Sequence, residues 1–292
     1  MTVSERAPDP ALQAVLVNGR GADAADARVH VLDRGLHFGD GLFETCVARH
    51  GRVRFLQLHL ERLARGGERL GLPLAEPATL RAELQRLAAG QERALLKLIL
   101  TRGPATRRGY APGGDEHPTR ILLRYAWPAD TPASIEGVSV RIAALRLGEN
   151  PALAGIKHLN RLELVLARCE PGAQHAFDSL LFSSSGQLVS GSMSNVFIVQ
   201  EGRVRTPRLD RAGVAGIMRQ VVLSTGREAG FPIEEGALDA HDLASAQEVF
   251  LTNVRIGICP VRAIGARSLP AGPLTRALQR LIEPLLEAAT DA

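Results

Sequence analysis

The chain has 292 residues, 45% hydrophobic and 23% charged, which excludes a disordered or fibrous protein and leaves room for one large or two medium domains. The net charge of +4 is spread along the chain, and one Trp, two Tyr and eight Phe are too few for the stacking platform of a single-strand nucleic-acid binder. A modest positive field suits an anionic small molecule instead.

Three isolated cysteines, Cys46, Cys169 and Cys259, show neither CxxC nor His-pair spacing, so no disulfide framework and no metal site is expected. The first thirty residues lack a basic start followed by an apolar run, and the most apolar stretch, "ALLKLIL", is too short to span a bilayer. A soluble, cytoplasmic protein with no membrane and no nucleic-acid partner is the expectation.

In chain order, "AVLVNGR" reads as a strand ending in an Asn-Gly turn, "ARVHVLDRG" as a second strand, and "LFETCVARHGRVRFL" as two β runs across a His-Gly turn. From Leu58 the period changes: Leu60, Leu63, Gly67 and Leu70 recur at helical intervals, with Gly71 and Pro73 marking the stop. A further helix is predicted over 78–89. The strands "ALLKLILTR" and "TRILLRYAW" flank a sixteen-residue loop, "GPATRRGYAPGGDEHP", long enough to be a functional element or a lid. The polar, Pro-rich "PADTPASIEG" marks a linker, placed at 128–136 between an N-terminal α+β domain, 1–127, and a second domain, 137–292. In the second half "VSVRIAALRL" is a strand and "AGIKHLNRLELVLARCE" an amphipathic helix with Lys157 in its first turn. β runs follow in "SLLFSSSGQLVSG" and "NVFIVQEGRVRTP". Helices are expected near "AGIMRQVVLSTGREAG" and over "ALDAHDLASAQ", strands in "EVFLTN" and "GICPVRAIG", and a last helix with a kink or break at Pro284. The fold class is α+β in two domains.

Three features carry chemistry. A lysine at a helix start sits against the positive end of the dipole, and if partly buried its neutral amine is favoured, which Schiff-base chemistry needs. A solvated lysine is the commoner outcome. In "RAGVAGIMRQVV" the glycines permit a tight turn, and a helix start at Gly216, Ile217 and Met218 offers free N–H groups to a phosphate, although glycines used only for a turn fit as well. Arg62 lies beside the apolar stripe of its helix, where a buried guanidinium can clamp a phosphate; a surface arginine is the ordinary alternative. Arg107, Arg108 and Tyr110 in the long loop can hold carboxylates or simply be solvated, and Arg255 is a further carboxylate candidate on chemical grounds. The nucleophile elbow and zinc-helix templates are absent. A lysine, a phosphate cradle and arginines together fit pyridoxal phosphate chemistry.

The stretches "DRGLHFGDGLFET", "HLERL", "KHLNRLE", "SGSMSNVF", "RAGVAGIMRQ" and "CPV" occur in the order and spacing of the fold-type IV pyridoxal-phosphate enzymes, and the chain resembles that family from about residue 15 to 265. The family contains branched-chain and D-amino-acid aminotransferases and aminodeoxychorismate lyases. "AGIKHLNRLELVL", "RRGY" and "TPRLDRAGVAGIMRQ" are closer to the lyases, since aminotransferases commonly carry Gly-Ile-Thr-Arg where this chain has Gly216, Ile217, Met218 and Arg219.

The resemblance implies a smaller N-terminal α/β domain, a larger C-terminal domain with a mixed, barrel-like sheet that binds pyridoxal 5′-phosphate, and a homodimer. It implies that Lys157 holds the cofactor covalently, that Arg62 and the N–H groups of Ile217 and Met218 contact its phosphate, that Asn195, Thr252 and Asn253 line the pocket, and that His37 lies on the substrate side. One departure stands out: many relatives have a glutamate at the position of Ser190, where it pairs with the pyridine nitrogen. A serine leaves a poorer electron sink, which hampers transamination more than an elimination that creates an aromatic ring. The implied reaction is a lyase reaction on an anionic substrate. An aminotransferase on the same scaffold and a non-catalytic basic binding protein are the alternatives.

Overall fold

The computed structural model describes residues 9, 11–129 and 136–288. Among these, one compact unit comprises the residues up to Ala129 together with Lys157–Asn160, and a second comprises the remainder from Glu136 onward. Most of the expected linker, 130–135, lies outside the described residues. Four residues of the second half, beginning with Lys157, thus belong to the first unit.

The first unit is built on a six-stranded antiparallel sheet. Its strands are β1 (Leu12–Val17), β2 (Arg20–Ala22), β3 (Gly41–Arg49), β4 (Arg52–Val53), β5 (Arg93–Thr101) and β6 (Thr119–Ala126), in the order β2-β1-β6-β5-β3-β4. Asn18 and Gly19 turn β1 into β2 with φ of 50° and 81°, the left-handed pair that a two-residue hairpin needs. Period-2 alternation in β5 buries Leu96, Leu98 and Leu100 on one face and leaves Lys97 half-buried on the other. Helix α2 (Leu56–Leu70) covers β3 with Leu56, Leu60 and Leu63, and α3 (Pro77–Ala88) packs against β4, β5 and β6. Gly71, at φ 55°, ends α2 and returns N–H groups to its last carbonyls.

The stretch read as a second strand, 27–35, is different. Asp33 caps a short helix, α1 (Arg34–Phe38), by accepting the Gly35 N–H at 2.8 Å. Its other oxygen accepts the hydroxyls of Thr101 at 3.0 Å and Thr119 at 2.6 Å. Alternation in "RVHVL" suggested a strand, but a buried carboxylate with three donors around it holds the chain in a helical turn.

The second unit carries a nine-stranded mixed sheet. It contains β7 (Val138–Leu147), β8 (Asp178–Ser183), β9 (Leu188–Gly191), β10 (Asn195–Gln200), β11 (Arg203–Pro207), β12 (Ile233–Gly236), β13 (Glu248–Asn253), β14 (Gly257–Ile264) and β15 (Arg267–Ser268). The order is β12-β11-β10-β13-β14-β7-β8-β9, with β15 beside β14. Phe197 of β10 and Phe250 of β13, opposite in register, stack with centroids 4.8 Å apart in a fully buried core. Among the described residues, the helices α4 (Leu162–Cys169), α5 (Ile217–Glu228), α6 (Ala240–Ser245) and α7 (Pro273–Glu287) accompany the sheet. Of the expected kink or break at Pro284, the break does not occur: α7 runs through the proline and ends at Glu287. At the other end of α7 the buried Glu248 accepts the N–H groups of Leu274 and Thr275. No helix among the described residues is long and apolar enough to cross a membrane.

Asp33 is the polar tie between α1, β5 and β6. Asp33→Ala leaves two buried hydroxyls without an acceptor, and is expected to lower the unfolding free energy by about 2–4 kcal/mol in urea titrations. A loss below about 0.5 kcal/mol would show that these bonds do not hold α1 in place.

Candidate active site

Lys157 was expected in the first turn of a helix. Instead, α4 begins at Leu162 and Lys157 opens an extended strap, 157–160, laid along β3. The Phe43 N–H donates to the Lys157 carbonyl at 3.0 Å, Leu159 N–H donates to Gly41 O at 3.0 Å, and Leu42 and His158 form an antiparallel bridge between them. Asn160 Nδ2 closes the end by donating to Gly39 O at 3.1 Å. The two glycines around Asp40 explain how the strap fits. A Cβ on Gly39, which sits at φ 63°, would stand 2.6 Å from Asn160 Oδ1, and one on Gly41 would stand 2.8 Å from Leu159 Cδ1 and 2.3 Å from Leu100 O. The "GDG" of the sequence is therefore a requirement for close approach as well as a bend.

Beneath the strap, β3 and α2 hold a buried ionic cluster. Arg62 donates Nε to Glu44 Oε1 at 2.8 Å and Nη2 to Oε2, and His59 Nδ1 bonds Oε2 at 2.7 Å. Arg62 is indeed a buried guanidinium, 8% exposed. Burial alone would raise the Glu44 carboxyl, but the Arg62 charge and His59 outweigh it and hold it at about 2. Burial lowers the proton affinity of His59, whose Nε2 makes no hydrogen bond among the described residues. Burial followed by the Glu44 charge pushes the Cys46 thiol up. Lys157 Nζ lies over the Phe43 ring, 4.1 Å from its centroid.

The sixteen-residue loop of this unit is tied down by its own bonds. Arg34, held by Asp40 at 2.8 Å, donates Nη2 to Tyr110 O at 2.6 Å. Arg107 Nη2 donates to Gly113 O at 2.7 Å, and Thr106 donates to Asp115 at 2.8 Å. Arg107, Arg108 and Tyr110 are exposed, and the Tyr110 ring leans on Phe38 at 5.3 Å. His37, also exposed, is turned to Val31 O at 2.8 Å.

The second unit assembles the anion site. Helix α5 starts at Ile217 with no side-chain cap on its N-terminus. The turn before it is held by Asn195 Nδ2, which donates to Val214 O at 2.9 Å, and by a parallel bridge between Gly155 and Val214. A Cβ on Gly216 would stand 2.0 Å from Asn195 Oδ1, so only glycine lets the helix start approach β10. Thr252 lies opposite Asn195 in register, and its Oγ1 is buried without a partner among the described residues. Uncapped N–H groups and an orphan buried hydroxyl form a donor set that an oxyanion satisfies. Asn253 Oδ1 accepts the N–H groups of Arg255 and Ile256 and so shapes the turn after β13. Ser190 lies in β9, 7% exposed. The carboxylate that organises the following turn is the buried Asp178: Oδ1 accepts Ser192 N–H at 2.8 Å and Oγ at 2.5 Å, and Oδ2 accepts Ser194 Oγ at 2.6 Å. With those donors around it, this carboxylate is committed to the turn.

The amino-transferase class IV family model matches residues 41–264. The chain belongs to this family. A crystal structure of 4-amino-4-deoxychorismate lyase from Pseudomonas aeruginosa is 42% identical, covers 94% of this chain and 100% of its own, and superposes with a TM-score of 0.88. Aminodeoxychorismate lyase of Vibrio harveyi is 34% identical over 85% of this chain and 93% of its own length. A putative branched-chain-amino-acid aminotransferase of Methanocaldococcus jannaschii is 31% identical over 91% and 93%.

Class IV enzymes depend on pyridoxal 5′-phosphate, and so does this one. Each unit has residues that fit the group: in the second, the α5 N-terminus and Thr252 Oγ1 offer donors for a phosphate; in the first, Lys157 offers an amine held by its backbone. The sequence reading missed Glu44, His59, Lys97 and Asp178. A signal existed for Lys97, a lysine at an alternating position inside "ALLKLIL". Nothing local marks Asp178.

Glu44 ionises at about 2 in the folded chain against 4.5 for an ordinary carboxyl. Its contribution to stability is therefore complete above about pH 5 and is lost as pH falls towards 2. His59, depressed in the same fold, adds a loss that begins as pH drops below the usual histidine range. Glu44→Gln strands the Arg62 charge and is expected to cost about 3–5 kcal/mol at pH 7. It should also flatten the acid side of the stability curve, as read from urea midpoints at a series of pH values; an unchanged curve would refute the anchoring role.

Proposed function

We propose that the chain is a pyridoxal-phosphate-dependent carbon–oxygen lyase that converts 4-amino-4-deoxychorismate to 4-aminobenzoate and pyruvate, acting as a cytoplasmic homodimer. The observation that carries this reading is the 42% identity to the Pseudomonas lyase over its full length, well above the 31% to the aminotransferase relative.

The cofactor, when bound, draws electrons from the carbon that bears the substrate's amine. Lys157 Nζ would hold the cofactor, and its free amine would take the proton from that carbon. The same amine returns a proton as the enolpyruvyl group departs, and the ring becomes aromatic. Arg62, Gly216, Ile217, Met218, Thr252 and Asn253 are assigned to the phosphate side and Asn195 to the cradle that shapes it. Arg107, Arg108, Tyr110 and Arg255, with His37, are assigned to the substrate and its two carboxylates. Ser190 faces the pyridine nitrogen in this assignment and gives it no counter-charge, which favours elimination over transamination.

Product analysis tests the reading. The wild type should release pyruvate from aminodeoxychorismate without any keto-acid acceptor, and Lys157→Ala should abolish that release while remaining folded; amine transfer from a panel of amino acids without pyruvate release would point to the aminotransferase instead.

Ser190→Glu separates the two activities on one scaffold. It is expected to raise the ratio of transamination to elimination by about tenfold, corresponding to ~1.4 kcal/mol of transition-state preference. An unchanged ratio would remove Ser190 from the account.

A further inference from the structure

The chain carries thirty-three arginines and only two lysines, Lys97 and Lys157. Both lysines meet at one ring. Lys157 Nζ lies 4.1 Å and Lys97 Nζ 5.8 Å from the centroid of Phe43. Each comes from backbone bound to β3: Lys97 stands opposite Thr45 in the β3–β5 register, and the Lys157 carbonyl accepts the Phe43 N–H. The two amines are thus within about 10 Å of each other, no more than about one Debye length at ordinary ionic strength.

Several titratable groups of β3 and α2 near this point carry little net charge. From β3 and α2, Glu44 and Arg62 neutralise one another. His59 is kept neutral by burial, and the Cys46 thiol keeps its proton because burial pushes it up. From β5 comes Lys97, half-buried, which makes no ion pair among the described residues. Lys97 is thus a like charge within reach of Lys157. A like charge nearby disfavours the ammonium form of an amine, whereas the face of an aromatic ring favours it.

We infer that Lys97 and Phe43 together set the proton affinity of the Lys157 amine. Lys97 lowers it, which raises the fraction of neutral amine able to attack and to accept a proton. Phe43 steadies the ammonium form after the proton has been taken. Both are positioning residues that act through Lys157. The inference rests on Lys157 as the working amine and not on the choice between lyase and aminotransferase.

With two lysines in the chain, the test is direct. In the full-length protein freed of cofactor, the rate of cyanate carbamylation at each lysine, read by peptide mass spectrometry from about pH 6 to 11, follows the titration of Lys157 without reference to catalysis. Lys97→Met, with Lys97→Gln as a second variant should the first fail to fold, is expected to raise the Lys157 midpoint by about half a unit or more. Lys97→Arg keeps the charge and should leave the midpoint within ~0.2 of wild type, while Phe43→Leu should lower it by a few tenths of a unit. In the cofactor-loaded enzyme, the pH at which the visible absorbance changes should move in the same directions. Opposite signs from neighbouring variants cannot come from a general loosening of the sheet. The inference fails if charge removal at Lys97 raises KM but leaves the midpoint in place, or if both variants move it the same way. Should product analysis overturn the lyase reading, these midpoints would still stand or fall by themselves.

Discussion

A lysine side chain has four rotatable carbons, so its amine is placed only as well as its backbone. Here that backbone is an extended strap hydrogen-bonded to β3, and the bonds form because Gly39 and Gly41 present no Cβ where Asn160 and Leu159 must lie. The local sequence, two glycines flanking an aspartate, thus leads to a close approach of two backbones. That approach fixes the origin of Lys157, and the Phe43 ring receives its amine. Asp40, the residue between the glycines, is bound by Arg34 and Arg102, each at 2.8 Å, which holds the bend itself and links it to the long loop through Arg34. A substitution at either glycine would move the strap first and the amine as a consequence.

Around this strap the protein uses arginine for structure. Glu44–Arg62 and Asp40 with Arg34 and Arg102 are buried or nearly buried pairs with several hydrogen bonds each. Such pairs bring little net stability, because desolvation offsets most of the attraction, yet breaking one is costly. They constrain geometry more than they strengthen the fold. Arginine suits that task because it does not lose its proton, and its planar fork matches a carboxylate. Lysine, whose protonation state can be shifted by its surroundings, is found where a change of state is useful.

Much of the framework was legible in the sequence because it is set locally. The Asn18–Gly19 hairpin, the end of α2 at Gly71 and the start of α5 at Ile217 each depend on residues within a few positions, and the helical stripe of α2 placed Arg62 near the core. What was misread depends on distant partners. The stretch 27–35 alternates like a strand, but Asp33 is captured by Thr101 and Thr119. Lys157 seemed to begin a helix because the apolar period of α4 extends backward through Ile156, whereas β3, over a hundred residues earlier, draws 157–160 into a bridge. Glu44 and His59 alternate or recur like core positions, and only their meeting with Arg62 makes them an ionic cluster. Family motifs supplied the order of the site residues; they did not supply this network.

The lyase and aminotransferase relatives share one fold, so the fold by itself does not select the reaction. Selection has to lie in charge placed at a few atoms. In the second unit Asp178 is a buried carboxylate close in sequence and space to the turn after Ser190, but its oxygens already accept three donors from Ser192 and Ser194. A carboxylate so committed cannot turn to a pyridinium without breaking that turn, which is why the proposed assignment looks to the position of Ser190 for a counter-charge. In the proposed assignment a hydroxyl there would reduce the cofactor's capacity to stabilise a carbanion, and a reaction driven by aromatisation would be affected least. The proposed assignment then asks more of the amine of Lys157, which lies at the strap and over the Phe43 ring.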